Sequence, residues 1–378
     1  MGKTILLAPN SFKECADSLT VSSFMSESIK SRSDFTVIEK PLSDGGDGFL
    51  KVCEKLYNTN RLSYYITRIY DNQLTPVDLP YSKDRRTIYI ESAEIIGLKK
   101  IPVGSRNPLH VSTKNLGNLL QQLSRDINSQ DLIVEKVIIG VGGTATVDFG
   151  LGLASVFGVK VLDEDDNELE VIPSNYLKIK DIITSETSLP FQVEAIVDIK
   201  TPLFGQNNAI KMYSKQKNAT DEEIKYLIKG FNNIYNILKN NKIIEFDKEL
   251  NGSGGGLAAG LEIFLNARLI PAETFIENEI LRDTALSEID AVITGEGVFD
   301  RQSLENKGAY IILNKFKNLP IPIFIICGKF DKSISKVLPR NVIVIELQKF
   351  FVTREESIKN YKIGLKKAAN DIINHLKN

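Results

Sequence analysis

Residues 290–297 read Asp290-Ala291-Val292-Ile293-Thr294-Gly295-Glu296-Gly297. The apolar run is continuous rather than alternating, as expected of a strand buried on both faces, and Gly-Glu-Gly then interrupts it. The same kind of run recurs toward both ends of the chain: TILLA at 4–8, FTVIEK at 35–40, IPIFIIC at 321–327 and NVIVIEL at 341–347. Helical periodicity fills the intervals at 17–30, 47–57, 304–316 and 355–377. This alternation predicts an α/β architecture with a parallel sheet. The middle differs. Closely spaced strand candidates fill 64–92, followed by helices at 113–125 and 219–238 and strands at 136–140, 159–162 and 191–197. The expected organisation is therefore one parallel-sheet domain built from both chain ends, 1–75 plus 285–378, interrupted by an inserted mixed α/β domain, 76–284.

A chain of 378 residues is long enough for two such cores, because single cores stop growing beyond about 250–300 residues. Lysine and arginine number 47 against 48 aspartates and glutamates, so the net charge is 47 − 48 = −1. No global field exists to gather nucleic acid or a membrane surface, and neither is expected as a partner. There are 2 histidines, His110 and His375, which argues against a zinc site or a triad built on histidine. The 3 cysteines, Cys15, Cys53 and Cys327, form no CxxC pair, as expected in a reducing compartment. The N-terminus enters a strand without a signal-peptide core, and a cytoplasmic location is the expectation.

Chemistry must then rest on carboxylates, lysines, hydroxyls and backbone amides. In open α/β sheets ligands bind beyond the carboxyl ends of the strands, and that is where the unusual segments fall. Asn10-Ser11-Phe12-Lys13 follows the first strand. Ser43-Asp44-Gly45-Gly46-Asp47-Gly48 closes the second, its glycines allowing close approach of backbone to a small ligand. Gly140-Val141-Gly142-Gly143-Thr144-Ala145-Thr146-Val147-Asp148-Phe149-Gly150 joins a strand to a helix and can present N–H groups to phosphate. It lacks the Gly-Lys-Ser/Thr ending of a Walker loop and the spacing of a dinucleotide fingerprint. Gly252-Ser253-Gly254-Gly255-Gly256 has the same logic before an Ala/Leu helix. Glu296, between glycines, and Asp300 suit Mg²⁺ or a ribose; Asp198 ends a strand; Lys215 and Lys217 precede a helix cap at Thr220. Glycine cradles, lysines and placed carboxylates are the equipment of phosphoryl transfer, which needs no histidine.

With these segments in this order, the chain resembles the bacterial glycerate kinase family whose members are neither P-loop nor protein kinases. Residues 10–13 are similar to its DSFK stretch, 43–48 to ADGGEG, 140–150 to GIGGSATNDGG and 197–203 to CDVxNPL. Residues 215–219 are similar to PQKGA, 252–258 to GAAGGLG and 293–302 to ITGEGxxDxQ. Departures include Asn10 for aspartate, Val147 and Thr201 for asparagine, and Phe149 and Asn218 for glycine. The resemblance implies a flavodoxin-like domain formed by both chain ends. It also implies ATP-dependent phosphorylation of a hydroxyl of D-glycerate, with Mg²⁺, in a cleft between domains. On this basis Ser11, Lys13, Asp44, Gly45 and Gly46 are expected to hold the hydroxy acid, Lys13 and Asp44 counting also as catalytic. Gly142, Gly143, Thr144, Lys215, Lys217, Gly254 and Gly255 would meet ATP. Asp198 is expected to be the catalytic carboxylate or a metal ligand, with Glu296 and Asp300 serving the metal.

Overall fold

The computed structural model describes residues 2–12, 15–129, 132–198, 201–245, 247–304 and 308–377. The chain opens with strands β1 (Thr4–Pro9) and β2 (Thr36–Glu39). There follow β3 (Asn60–Thr67), β4 (Leu74–Ser82), β5 (Thr87–Glu91), β6 (Lys136–Gly140), β7 (Lys160–Leu162) and β8 (Asp181–Ile183). β9 (Gln192–Val197) and β10 (Arg268–Pro271) complete the middle, and β11 (Ala291–Phe299), β12 (Ile323–Phe330) and β13 (Val342–Glu346) end the series.

Two compact units result: residues 1–52 with 272–378, and residues 53–271. The junctions fall earlier than the expected 75/76 and 284/285, for identifiable reasons. β3 pairs with β4 along its whole length, antiparallel, so residues 60–67 belong to the second sheet. After β10, Phe275 packs on Phe49 and Glu277 pairs with Lys315 at 2.8 Å, which ties that segment to the first unit.

In the first unit the strand order is β13-β12-β11-β1-β2, with every pair parallel. Counted along this unit alone, that is the flavodoxin-like order 2-1-3-4-5. The apolar runs are buried on both faces because helices cover both. Ile5, Leu7, Ile293, Phe324 and Ile326 pack with Val21, Met25 and Ile29 of helix Ser18–Lys30 and with Leu365, Ala369 and Ile372 of helix Tyr361–Lys377. The alternate residues Ile325 and Cys327 meet Ala309 and Leu313 of helix Gly308–Phe316. The period-2 alternation of a strand thus serves two cores instead of one core and solvent. The order reverses between β1 and β11, and Asn10 and the Gly-Glu-Gly segment lie at that switch point.

The second unit has a mixed sheet, β10-β9-β6-β5-β4-β3, in which β5, β6, β9 and β10 run parallel and β3 and β4 antiparallel. Leu116, Leu119, Leu120 and Leu123 form the apolar stripe of helix Lys114–Ser129. They pack with Leu257 and Leu261 of helix Leu257–Leu265 against one face. The register pairs Glu91 with Gly140, Gly140 with Ile196 and Val197 with Pro271, so the parallel strands end in one row. No helix among the described residues is long and apolar enough to cross a membrane.

Candidate functional site

In the second unit the turn after β6 is built around a buried carboxylate. Asp148 is inaccessible to solvent, and its Oδ2 accepts from the Thr113 amide at 2.7 Å, the Thr113 hydroxyl at 2.8 Å and the Gly152 amide at 3.2 Å. Its Oδ1 accepts from the Gly150 amide at 3.1 Å. Burial pushes the Asp148 carboxyl above its ordinary value, and the bonds from Thr113, Gly150 and Gly152 oppose that rise. The turn is also stitched to the helical segment that follows β5. Leu98 donates to the Gly143 carbonyl, Ala145 to that of Ile96, and the Ser92 hydroxyl to that of Gly142. Gly142, Gly143 and Thr144 are thereby fixed at the carboxyl end of β6.

Lys217 enters this turn from a distant segment. Its side chain is buried, and Nζ donates to the Thr146 carbonyl at 2.8 Å and the Thr144 hydroxyl at 3.3 Å. Burial brings the ammonium down to about 7, opposed by the charge of Asp148. Lys215, two residues away, is solvent-exposed and pairs with Asp221 at 2.9 Å on the following helix, Asp221–Asn240. The two lysines expected to act alike therefore occupy opposite environments.

The second glycine turn rests on the first. Gly254, Gly255 and Gly256 have φ of 67°, 71° and 90°, the left-handed region that side chains disfavour. A Cβ on Gly255 would lie 2.0 Å from the Thr146 carbonyl oxygen, and one on Gly256 would lie 2.8 Å from the Phe149 Cα. These glycines are thus required by the close stacking of one turn on the other. Asp198 stands at the end of β9 beside them: its carbonyl accepts from Asn251 Nδ2 at 2.9 Å and the Ser253 hydroxyl at 3.2 Å. Gly142, Gly143, Thr144, Asp198, Lys217, Gly254 and Gly255 therefore gather on one edge of this unit, and Lys215 does not join them.

In the first unit, Asn10 donates its amide N–H to the Gly295 carbonyl at 2.8 Å, and its side chain accepts from the Ser11 amide at 2.8 Å. Lys13 lies outside the described residues. Asp44 accepts from the Gly46 amide and Ser43 from the Gly45 amide, both at 3.2 Å, and Gly45 takes φ 86°. Glu296 is buried on β11, in register with Cys327 of β12. Asp300 caps the short turn Arg301–Leu304, with Oδ1 accepting from the Ser303 amide at 3.2 Å. Ser11, Asp44, Gly45, Gly46 and Asp300 follow the ends of their strands, and Glu296 lies in the carboxyl half of β11.

Mg²⁺ can be tested against this donor set. Among the described residues, no group of three or more His, Cys, Asp or Glu is arranged to hold a metal ion. Magnesium bound with nucleotide phosphates needs only one or two carboxylates, a number within the reach of Asp198, Glu296 and Asp300, the last with its Oδ1 also capping the 301–304 turn. The set suits a metal that arrives with phosphate.

Residues 5–377 match the glycerate kinase family. The chain belongs to that family. A glycerate kinase of Neisseria meningitidis serogroup B is 28% identical over 99% of this chain and 98% of its own length. A glycerate 2-kinase of Escherichia coli K12 is 26% identical over 88% and 87%. A solved structure from Salmonella typhimurium LT2, assigned as a glycerate kinase 2, superposes with a TM-score of 0.73 at 23% identity. It covers 100% of this chain and 99% of its own, and shows the same fold.

Within this member of the glycerate kinase family, sequence reasoning missed Asp148, Thr113 and Asn251 as residues that hold the turns together. Asp148 was visible as a carboxylate closing a glycine turn. Thr113 and Asn251 gave no local signal, since their partners lie 35 and 53 residues away.

Proposed function

We propose that the protein is an ATP-dependent kinase that phosphorylates a hydroxyl of D-glycerate. The observation that carries this reading is the stacked pair of glycine turns in the second unit, backed by a buried lysine and flanked by Asp198. A stack of this kind offers fixed N–H groups and a positive charge to phosphate oxygens without reorganisation during reaction. Membership of the glycerate kinase family supports glycerate as the acceptor.

In this reading Gly142, Gly143 and Thr144, with Gly254 and Gly255, take the nucleotide phosphates. Lys13 pairs with the acid's carboxylate, and Ser11, Asp44, Gly45 and Gly46 fix its hydroxyls. Oxygen of the reacting hydroxyl attacks the γ-phosphorus, the bond from that phosphorus to the bridging oxygen breaks, and ADP leaves. The hydroxyl proton passes to the Asp198 carboxylate and then to water. Mg²⁺, held by Glu296 together with phosphate oxygens, or by Asp198 in the alternative in which Asp198 binds the metal and does not take the proton, would neutralise charge on the phosphates.

The test is ADP release with ATP, Mg²⁺ and a panel of small hydroxy acids. Turnover that requires D-glycerate is expected. Turnover with a different acid alone would reassign the substrate, and no turnover with any acid would overturn the kinase reading.

A further inference from the structure

Lys217 was expected to touch ATP, yet it is only 5% exposed and its Nζ is engaged by the Thr144 hydroxyl and the Thr146 carbonyl. The geometry points to a positioning residue: we infer that Lys217 charges and braces the 142–146 turn from its buried side, and that phosphate meets the turn rather than the lysine. This rests on the reading that the turn takes a nucleotide phosphate.

Three observations carry it. First, the ammonium has two named acceptors and is almost wholly desolvated, so its field is weakly screened across the thickness of one turn. Second, the surroundings are polar yet under-bonded. Thr146 and Ser214 are fully buried, and their hydroxyl oxygens have no hydrogen-bond partner among the described residues. Thr146 is the residue whose carbonyl Lys217 holds, and the Lys217 amide donates to the Ser214 carbonyl at 3.0 Å. Third, the Thr146 carbonyl that Lys217 holds is also packed closely by Gly255, where a Cβ would lie 2.0 Å from it, so the turn has little room to shift.

The charged groups around it are few. Asp148, which closes the same turn, acts on Lys217, with the Tyr176 hydroxyl behind it on the Asp148 carbonyl at 2.7 Å. Lys215 and Asp221 pair with each other at the surface. Arg106, whose carbonyl accepts from Asn218, donates its guanidinium to the Ile101 carbonyl. Asp148 alone does not keep Lys217 charged above neutrality, since burial holds the ammonium at about 7. An anion on the front of the turn adds a second negative neighbour, which favours the protonated form. Nucleotide binding just above neutrality should therefore take up a proton at Lys217.

The experiment is calorimetric titration of the full chain with ATP and excess Mg²⁺ at about pH 8, in buffers of different ionisation enthalpy. Magnesium-bound ATP is already deprotonated there, so uptake belongs to the protein. For the unaltered protein the expected result is uptake of about half a proton or more per nucleotide. Lys217→Met should abolish the uptake and weaken ATP affinity by roughly tenfold or more, while the KM for the hydroxy acid changes little. The unaltered protein needs no folding control, and absence of uptake in it overturns the inference. Equal affinity and equal uptake in Lys217→Met overturn it as well. ATP binding without uptake sinks this inference alone, because ADP release with D-glycerate still judges the kinase reading. A chain that binds no ATP at all overturns both.

Discussion

The two units finish their parallel strands in different ways. In the first, the side chains of Asn10, Asp44 and Asp300 accept from backbone one to three residues away, at Ser11, Gly46 and Ser303. In the second, local bonds from Gly150 and Gly152 to Asp148 are joined by distant ones, with Lys217 reaching back 71 residues to Thr146 and Asp148 bonding Thr113 over 35. Local caps make shallow turns that tolerate exchange of one side chain. Long-range stitching makes a rigid frame in which each member depends on the others. A rigid frame suits phosphate, whose charge must be met by dipoles already in place. Shallow turns suit a small acid recognised by a few side chains.

The sharpest way to break this contrast is at Asp198, on the stitched side. Asp198→Asn is expected to lower kcat by at least ~10²-fold with little change in KM for the acid, read from steady-state ADP release. Near-normal turnover would remove Asp198 from the reacting centre. Next comes Gly255→Ala, where the new methyl would lie 2.0 Å from the Thr146 carbonyl at a φ of 71°. Chemical denaturation should show a loss of about 3 kcal/mol or more, accompanied by loss of ATP binding. A stable, active variant would mean that the two turns are not locked together.

A third test uses pH. Lys217 stands near 7 in the folded chain against an ordinary 10.5, lowered by burial. Below about 7 both folded and unfolded chains hold the proton. Between there and about 10.5 the unfolded chain holds a proton that the folded one lacks, so Lys217 makes stability rise with pH in that window. Denaturation midpoints at about pH 6.5 and about pH 9 should show this rise, and Lys217→Met should lessen it. The smallest effects are expected on the locally capped side. Ser11→Ala should raise KM for the acid by roughly tenfold and leave KM for ATP alone. Asp300→Ala should cost about 1 kcal/mol as a lost cap without altering the Mg²⁺ dependence of turnover. A shifted Mg²⁺ requirement would restore Asp300 as a metal ligand.

The same contrast explains what could be read from sequence. The buried runs at 4–8 and 290–294, and the polar segments beyond them, were legible because a strand and its cap are local patterns. The chain-end sheet followed from them. The edge at 60–67 was misplaced because nothing in those eight residues says which sheet they join; pairing with β4 decides it. Lys215 and Lys217 looked equivalent because burial is decided by segments distant in the chain. The glycines at 252–256 were read as N–H donors to an anion, and packing adds a second reason for them, since the neighbouring turn leaves no room for a Cβ at Gly255 or Gly256. Turn and cap patterns are local in sequence, whereas the burial of each side chain is not.

The pairing of β1 with β11 sets an order of events during synthesis. β1 is made first, yet its neighbour across the switch point arrives some 286 residues later, joined through the Thr294 hydroxyl on the Ala8 carbonyl. The residues of the second unit are all made in between. That unit can complete its sheet while the first two strands wait for a partner, and a loop of this length costs little more to close than one half as long. The chain-end unit should therefore be the slow step, its rate limited by the joining of the two ends. A circular permutant that brings β11–β13 next to β1 in sequence should refold that unit faster while leaving the final sheet order unchanged.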